Sequence, residues 1–217
     1  MVEESAASYL VHPPSGSGPG VLVLHAWWGL NQFFRDFCDR VAGQGFVVLA
    51  PDLYHGEVAS TIDQAKALRG KLKGAQVSEE IQAAVTHLQG LSAVAGPGLG
   101  VIGFSLGGRF ALELSLQNPD AIRAVTVFYA LLHGDYSPSR SAYLCHFAET
   151  DPYAADSGKM KFEKALRAAH RPAEVYTYPG TGHWFFEQDR PEAYNAVAAQ
   201  LAWTRTLQFL HACLDQA

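Results

Sequence analysis

Short, almost uninterrupted apolar runs alternate with longer amphipathic ones along the whole chain, and this alternation constrains the fold more than any other feature. GVLVLHA (20–26), FVVLAPD (46–52), LGVIGF (99–104), RAVTVFY (123–129), SAYLCHFAE (141–149) and AEVYTYP (173–179) read as strands, the most apolar of them buried on both faces. Helical spacing falls between them, at 31–43, 61–72, 78–91, 109–117 and 157–169, and again in a long closing helix over 191–215. Asn31 is placed to cap the first helix, whose inward face carries Phe34, Phe37, Cys38 and Val41. Ser78 is read as opening the helix that turns Ile81 and Val85 inward. HPPSGSGPG (12–20) is a loop between two early strands. Such alternation predicts an α/β fold: a doubly wound, mostly parallel sheet with helices on both faces. Ligands in these sheets bind at the carboxyl ends of the strands, so a reactive residue should come directly after a strand.

The 217 residues fit a single domain, 1–217, with no linker or repeat to divide them. Sixteen Lys and Arg against 21 Asp and Glu, scattered along the chain, leave no basic face for nucleic acid. Cys38, Cys145 and Cys213 have neither disulfide-framework nor zinc-ligand spacing, and Cys145 sits in an apolar run as an inert buried thiol. The N-terminal MVEESAAS lacks the apolar region of a signal peptide, and the apolar stretches fall well short of a membrane span. The expectation is a cytoplasmic protein with no membrane partner, and a monomer by default.

Gly103-Phe104-Ser105-Leu106-Gly107 has the G-x-S-x-G pattern, and it follows an apolar strand and opens a helix. Small residues there allow a sharp strand-to-helix turn that lifts the Ser105 hydroxyl above the sheet edge as a nucleophile. The alternative is a glycine-rich turn with Ser105 as a helix N-cap. A serine needs a base, and that base needs an orienting carboxylate. His183 lies in a small-residue loop directly after the last strand. His87 and His211 fall inside helices, His12 and His170 in polar stretches, and His55 and His133 in other loops, while His25 could line the site. Asp151, immediately after its strand, is the favoured acid, with Asp156 and Glu149 as alternatives; Ser105, Asp151 and His183 then follow the α/β-hydrolase chain order. The backbone N–H groups of Leu106 and of Trp27, with Ala26 next, are the candidate oxyanion donors. Phe104, Tyr54, Trp28, Trp184 and Phe185 are candidates for an apolar substrate pocket. Arg109 is read as structural. Gly98-Leu99-Gly100-Val101-Ile102-Gly103 imitates a dinucleotide fingerprint, but its middle lies inside a strand instead of opening a helix.

HAWWGLN (25–31), PDLYHG (51–56), GFSLGG (103–108), the strand-end Asp151 and GTGHWF (180–185) together resemble the dienelactone hydrolase family of the α/β-hydrolase superfamily, over about Tyr9 to Leu214. The resemblance implies a hydrolase sheet with little or no lid. This chain departs from the family's pattern in three places. Ser105 stands where dienelactone-opening members usually carry a cysteine, Ala26 where they carry an activating glutamate, and Glu187 at the position of an arginine that holds the substrate carboxylate. The expectation is therefore a serine esterase or lactonase acting on a small neutral ester or lactone through an acyl-enzyme, with no metal and no cofactor. A thioesterase would use the same triad, and a hydrolase-fold binding protein without turnover is the non-catalytic alternative.

Overall fold

The computed structural model describes residues 2–5 and 8–215, with side chains from Ser8 onward; the reading of the N-terminal MVEESAAS falls partly on Met1, Ala6 and Ala7, which lie outside them. Eight strands form one sheet: β1 (Val2–Ser5), β2 (Ser8–Val11), β3 (Gly18–Leu24), β4 (Val47–Pro51), β5 (Val94–Phe104), β6 (Ile122–Phe128), β7 (Ala142–Thr150) and β8 (Ala173–Gly182). Their order is β1-β2-β4-β3-β5-β6-β7-β8, antiparallel at β1–β2 and β2–β4 and parallel from β4 to β8. The helices are α1 (Gln32–Ala42), α2 (Ile62–Lys71), α3 (Gly74–Gly90), α4 (Leu106–Gln117), α5 (Asp156–Ala168) and α6 (Ala196–Leu214).

One core cluster lies under α1 and α6 and includes Val21, Val23, Val48, Phe104, Phe128 and Trp203. The other lies under α3, α4 and α5 and includes Leu22, Leu24, Val101, Val125, Val127 and Phe162. Successive residues of β3 and β6 thus serve opposite faces, which is why these strands read as continuous apolar runs. The chain steps outward from β3 to β4 and then back across β3 to β5. This reversal makes the carboxyl ends of β3 and β5 the topological switch point, where open α/β sheets bind ligands.

Several boundaries differ from the sequence reading. The antiparallel strand β1 was not expected. The helix read from Ser78 begins at Gly74, so Ser78 lies inside it, and the helix read from residue 109 begins at Leu106. The last helix begins at Ala196, not at 191, because Pro191 opens a turn in which the Ala193 and Tyr194 amides bond to the Arg190 carbonyl. Asn195 then caps α6, its side chain accepting from the Ala198 N–H at 3.1 Å. Asn31 caps α1 as expected, accepting from the Phe34 N–H at 3.3 Å.

A buried polar chain ties α6 to the sheet. Arg205 donates to the Tyr178 hydroxyl (3.1 Å), which donates to His146 Nδ1 (2.8 Å). His146 Nε2–H then donates to Thr206 Oγ1 (3.1 Å), whose own proton goes to the Ala202 carbonyl (2.9 Å). Each donor has a single direction available, so His146 is neutral, and burial drops its pKa to about 3. His25 is also fully buried and lowered by burial; its Nε2 accepts from the Leu53 N–H at 3.2 Å, leaving Nδ1–H for the Ala26 carbonyl at 2.7 Å. It braces the segment after β4, away from the strand-end cavity.

The β5–α4 turn is built by contact of backbone on backbone. A Cβ on Gly103 would collide with the Gly107 carbonyl, and one on Gly107 would collide with the Leu24 carbonyl and lie 2.5 Å from that of His25. Ser105 between them has φ +49° and ψ −109°, a strained conformation for a non-glycine residue. Gly107→Ala is expected to destabilise the fold by about 1–3 kcal/mol, since neither neighbouring carbonyl can move without disturbing β3. Urea unfolding measures this, and wild-type stability in the variant would refute the packing argument. For His146, a folded pKa below the unfolded value means the native state loses stability as pH falls from about 6.5 toward about 3. The stability cost of His146→Gln at pH 7.5 should therefore shrink on acidification, by up to about 1.4 kcal/mol per pH unit.

Candidate active site

Four strand ends contribute to one cluster. Ser105 ends β5, Asp151 follows β7, His183 follows β8, and Trp27 lies in the loop after β3. Ser105 Oγ lies 2.9 Å from His183 Nε2, and His183 Nδ1 lies 2.8 Å from Asp151 Oδ2. Ser105 makes no capping bond to α4, so the N-cap alternative does not describe its side chain. The other Asp151 oxygen accepts the Tyr153 N–H at 2.8 Å, which fixes the carboxylate's rotation. With the Asp151 carboxylate taking Nδ1–H, the His183 Nε2 lone pair faces the Ser105 hydroxyl.

The rival acids lie elsewhere: Asp156 pairs with Lys159 on α5 (3.1 Å), and Glu149 accepts the Gly180 N–H (3.0 Å), shaping the loop that carries His183. Thr181 reinforces that loop, donating to the Tyr178 carbonyl at 2.6 Å. Among the other histidines, His55 faces Glu80 (3.4 Å) and His211 faces Asp215 (2.7 Å), both on the outer surface. Cys145 is fully buried on β7, and burial pushes its thiol pKa up.

A cavity of about 240 Å³ opens beside Ser105, and its wall includes Trp27, Leu106, Tyr129, Tyr153 and His183. Neither the Trp27 nor the Leu106 amide donates to a backbone carbonyl among the described residues. The five side chains expected to form the pocket are not in its wall. Phe104 is fully buried, stacked on Phe128 at 4.4 Å, and Phe185 is fully buried between Tyr178 and Tyr129. Tyr54 packs on the His25 ring at 5.2 Å, Trp28 lies beneath the Arg190 guanidinium at 3.7 Å, and Trp184 backs Trp27 at 6.0 Å. All but Tyr54 back a wall residue: Trp28 and Trp184 lie against Trp27, and Phe104 and Phe185 against Tyr129.

Besides Trp27, Leu106 and His183, the wall holds two tyrosines absent from the sequence-based candidates, Tyr129 and Tyr153. The Tyr129 and Tyr153 rings lie 4.7 and 4.8 Å from the His183 imidazole and enclose it. Tyr129 directly follows β6, which ends at Phe128, whereas the sequence pattern runs the strand through Tyr129 and so hides its place at the strand end. Arg69 from α2 and Arg109 from α4 also border the cavity. Arg109, read as structural, does pair with Glu113 at 3.0 Å, and it also brings positive charge to the site.

Glu187 does not face the cavity as the substrate-holding position would. It is fully buried behind Tyr129 and accepts that residue's hydroxyl proton. Burial pushes the Glu187 carboxyl up to about 8, and burial together with Glu187 raises the Tyr129 hydroxyl well above its ordinary value.

The model of the dienelactone hydrolase family matches residues 6–214. A Bradyrhizobium protein named “Probable 2-oxo-3-(5-oxofuran-2-ylidene)propanoate lactonase” is 33% identical, over 97% of this chain and 91% of its own. An Aquifex aeolicus protein named “Putative carboxymethylenebutenolidase” is 27% identical, over 90% of this chain and 89% of its own. A Klebsiella pneumoniae crystal structure described as a “Putative Dienelactone Hydrolase” superposes with a TM-score of 0.82 at 25% identity, covering 93% of this chain and 91% of that one. No helix among the described residues is long and apolar enough to cross a membrane. With its α/β-hydrolase sheet, the family match over residues 6–214 and relatives named as a lactonase and a carboxymethylenebutenolidase, the chain belongs to the dienelactone hydrolase family and is a carboxylic ester hydrolase.

Proposed function

We propose that the protein is a serine hydrolase that cleaves a small ester or lactone through Ser105, His183 and Asp151. The observation that carries this reading is the unbroken relay from Ser105 Oγ to His183 Nε2 (2.9 Å) and from His183 Nδ1 to Asp151 Oδ2 (2.8 Å). His183 takes the hydroxyl proton as Ser105 Oγ bonds to the carbonyl carbon, and Asp151 stabilises the resulting imidazolium. The N–H groups of Leu106 and Trp27 receive the oxyanion. As the tetrahedral centre collapses, the C–O bond to the leaving alkoxide breaks and His183 returns the proton to it. Water, deprotonated by the same imidazole, then releases the acid and restores Ser105. In a lactone the alkoxide stays tethered to the acyl group.

A second reading concerns the charge of the substrate. A neutral ester was expected because Glu187 replaces a clamping arginine. Yet Arg69 and Arg109 border the cavity from two other helices, and the name of the Bradyrhizobium relative describes an anionic lactone. These guanidinium groups favour an ester or lactone that itself carries a carboxylate.

Ser105→Ala is expected to lower p-nitrophenyl acetate hydrolysis by about 10⁴-fold and to abolish labelling by a fluorophosphonate. Wild-type protein that neither turns over nor labels would favour the ligand-binding alternative. Arg69→Gln should lower kcat/KM for a carboxylate-bearing ester about tenfold more than for p-nitrophenyl acetate, and less so at high salt. Equal losses on both substrates would restore the neutral-ester reading.

A further inference from the structure

Tyr129 is an outlier that the hydrolytic relay leaves unexplained. It is a bulky residue at φ +42°, and such strain, of order 1–3 kcal/mol, persists only where the surroundings over-determine the conformation. Three contacts hold it. Its N–H donates to the His146 carbonyl on β7 at 2.7 Å, its ring lies 4.7 Å from the His183 imidazole, and its hydroxyl donates to Glu187 Oε1. Both Tyr129 and Glu187 are buried, and the remaining polar neighbour of the carboxyl is the Trp28 indole. A carboxyl group buried at such cost, one side chain behind the imidazole, is not explained by packing, which an apolar residue would serve better.

We propose that Glu187 is a positioning residue for the hydrolytic site, its carboxyl anchoring the Tyr129 hydroxyl so that the ring braces His183 in line with Ser105. Tyr129 forms both the cavity wall and the inner face of the imidazole's enclosure, so a displaced ring frees His183 to turn away from Ser105 Oγ. The proposal rests on the serine-hydrolase reading for its kinetic consequence and on geometry alone for its structural one.

The groups facing Glu187 are Tyr129 from the end of β6, Trp28 from the β3–α1 loop, and Asp189 and Arg190 from its own loop; Asp151 faces Tyr129. Its carboxyl is neutral up to about pH 8. Because that value lies above the ordinary carboxylate value of 4.5, the stability it contributes is complete below about pH 4.5 and is lost progressively as pH rises to about 8, where the folded carboxyl itself ionises. The braced geometry should loosen only as that ionisation occurs, near pH 8.

The test uses Glu187→Ala, Glu187→Gln and Tyr129→Phe in the full chain. The amide keeps an acceptor for the tyrosine but cannot ionise. Glu187→Ala and Tyr129→Phe are expected to lower kcat for p-nitrophenyl acetate tenfold or more with KM little changed. Glu187→Gln should retain most of kcat and hold its activity above pH 8, where the wild type declines. The His183 imidazole resonances should move in Glu187→Ala and Tyr129→Phe and return in Glu187→Gln, a readout that needs no turnover. If Glu187→Ala fails to fold, Tyr129→Phe and Glu187→Gln still carry the comparison. Wild-type kcat and wild-type His183 resonances in Tyr129→Phe would overturn the proposal, as would an unchanged alkaline decline in Glu187→Gln. Unchanged hydrolysis in Ser105→Ala would instead overturn the serine-hydrolase reading, leaving the resonances to decide whether the brace exists.

Discussion

The N-terminal turn of α4 presses its backbone directly onto the end of β3, and the geometry of the site follows from that contact. Gly107 has no room for a side chain against the Leu24 and His25 carbonyls, and Gly103 has none against Gly107. Glycine at both positions lets helix and strand approach to van der Waals contact of main chain on main chain, and Ser105 is bent into a strained conformation between them. The same approach sets the Leu106 amide beside the loop that carries Trp27. The proposed nucleophile and the candidate oxyanion donors are thus fixed by one packing event at the switch point of the sheet, before any loop is considered.

The remaining groups are delivered by strand order. β5, β6, β7 and β8 lie side by side, so Ser105, Tyr129, Asp151 and His183 arrive from neighbouring strand ends. His183 must reach back from β8 to Ser105, across two intervening strands. Thr181, Glu149 and Gly180 shape the loop that makes that reach, and Tyr129 and Tyr153 hold the ring once it arrives. An imidazole projecting from a strand end would otherwise sample rotamers that break the relay, and two aromatic faces restrict it without a further polar partner.

Much of this was legible in the sequence because the relevant signals are local. Continuous β-branched runs mark buried parallel strands, G-x-S-x-G after such a run marks the tight turn, and Asp151 and His183 each follow a strand. What was not legible depends on contacts between distant segments. Phe104 and Phe185 look like pocket residues in a linear reading, but pleat and packing turn them into the core. Arg69 reaches the cavity from a helix whose apolar pattern is weak, and nothing in the local pattern around Glu187 marks it as a buried acid facing Tyr129. The start of α6 was misplaced because Pro191, which can open a helix, here opens a turn, while the Asn195 cap decides the boundary.

The separation of the relay along the chain has a consequence for how the protein comes to life. Ser105 and His183 are 78 residues apart, and Asp151 and His183 are 32 apart. No contiguous fragment ending before β8 contains His183, the base of the proposed relay, and a sheet assembled through non-local parallel pairings forms slowly relative to its helices. If the proposed relay carries the reaction, gain of hydrolysis during refolding reports the docking of the last parallel strand, whereas helical signal reports far earlier events. A chain can be almost wholly structured and still chemically silent, and the moment it acquires chemistry marks the completion of the sheet.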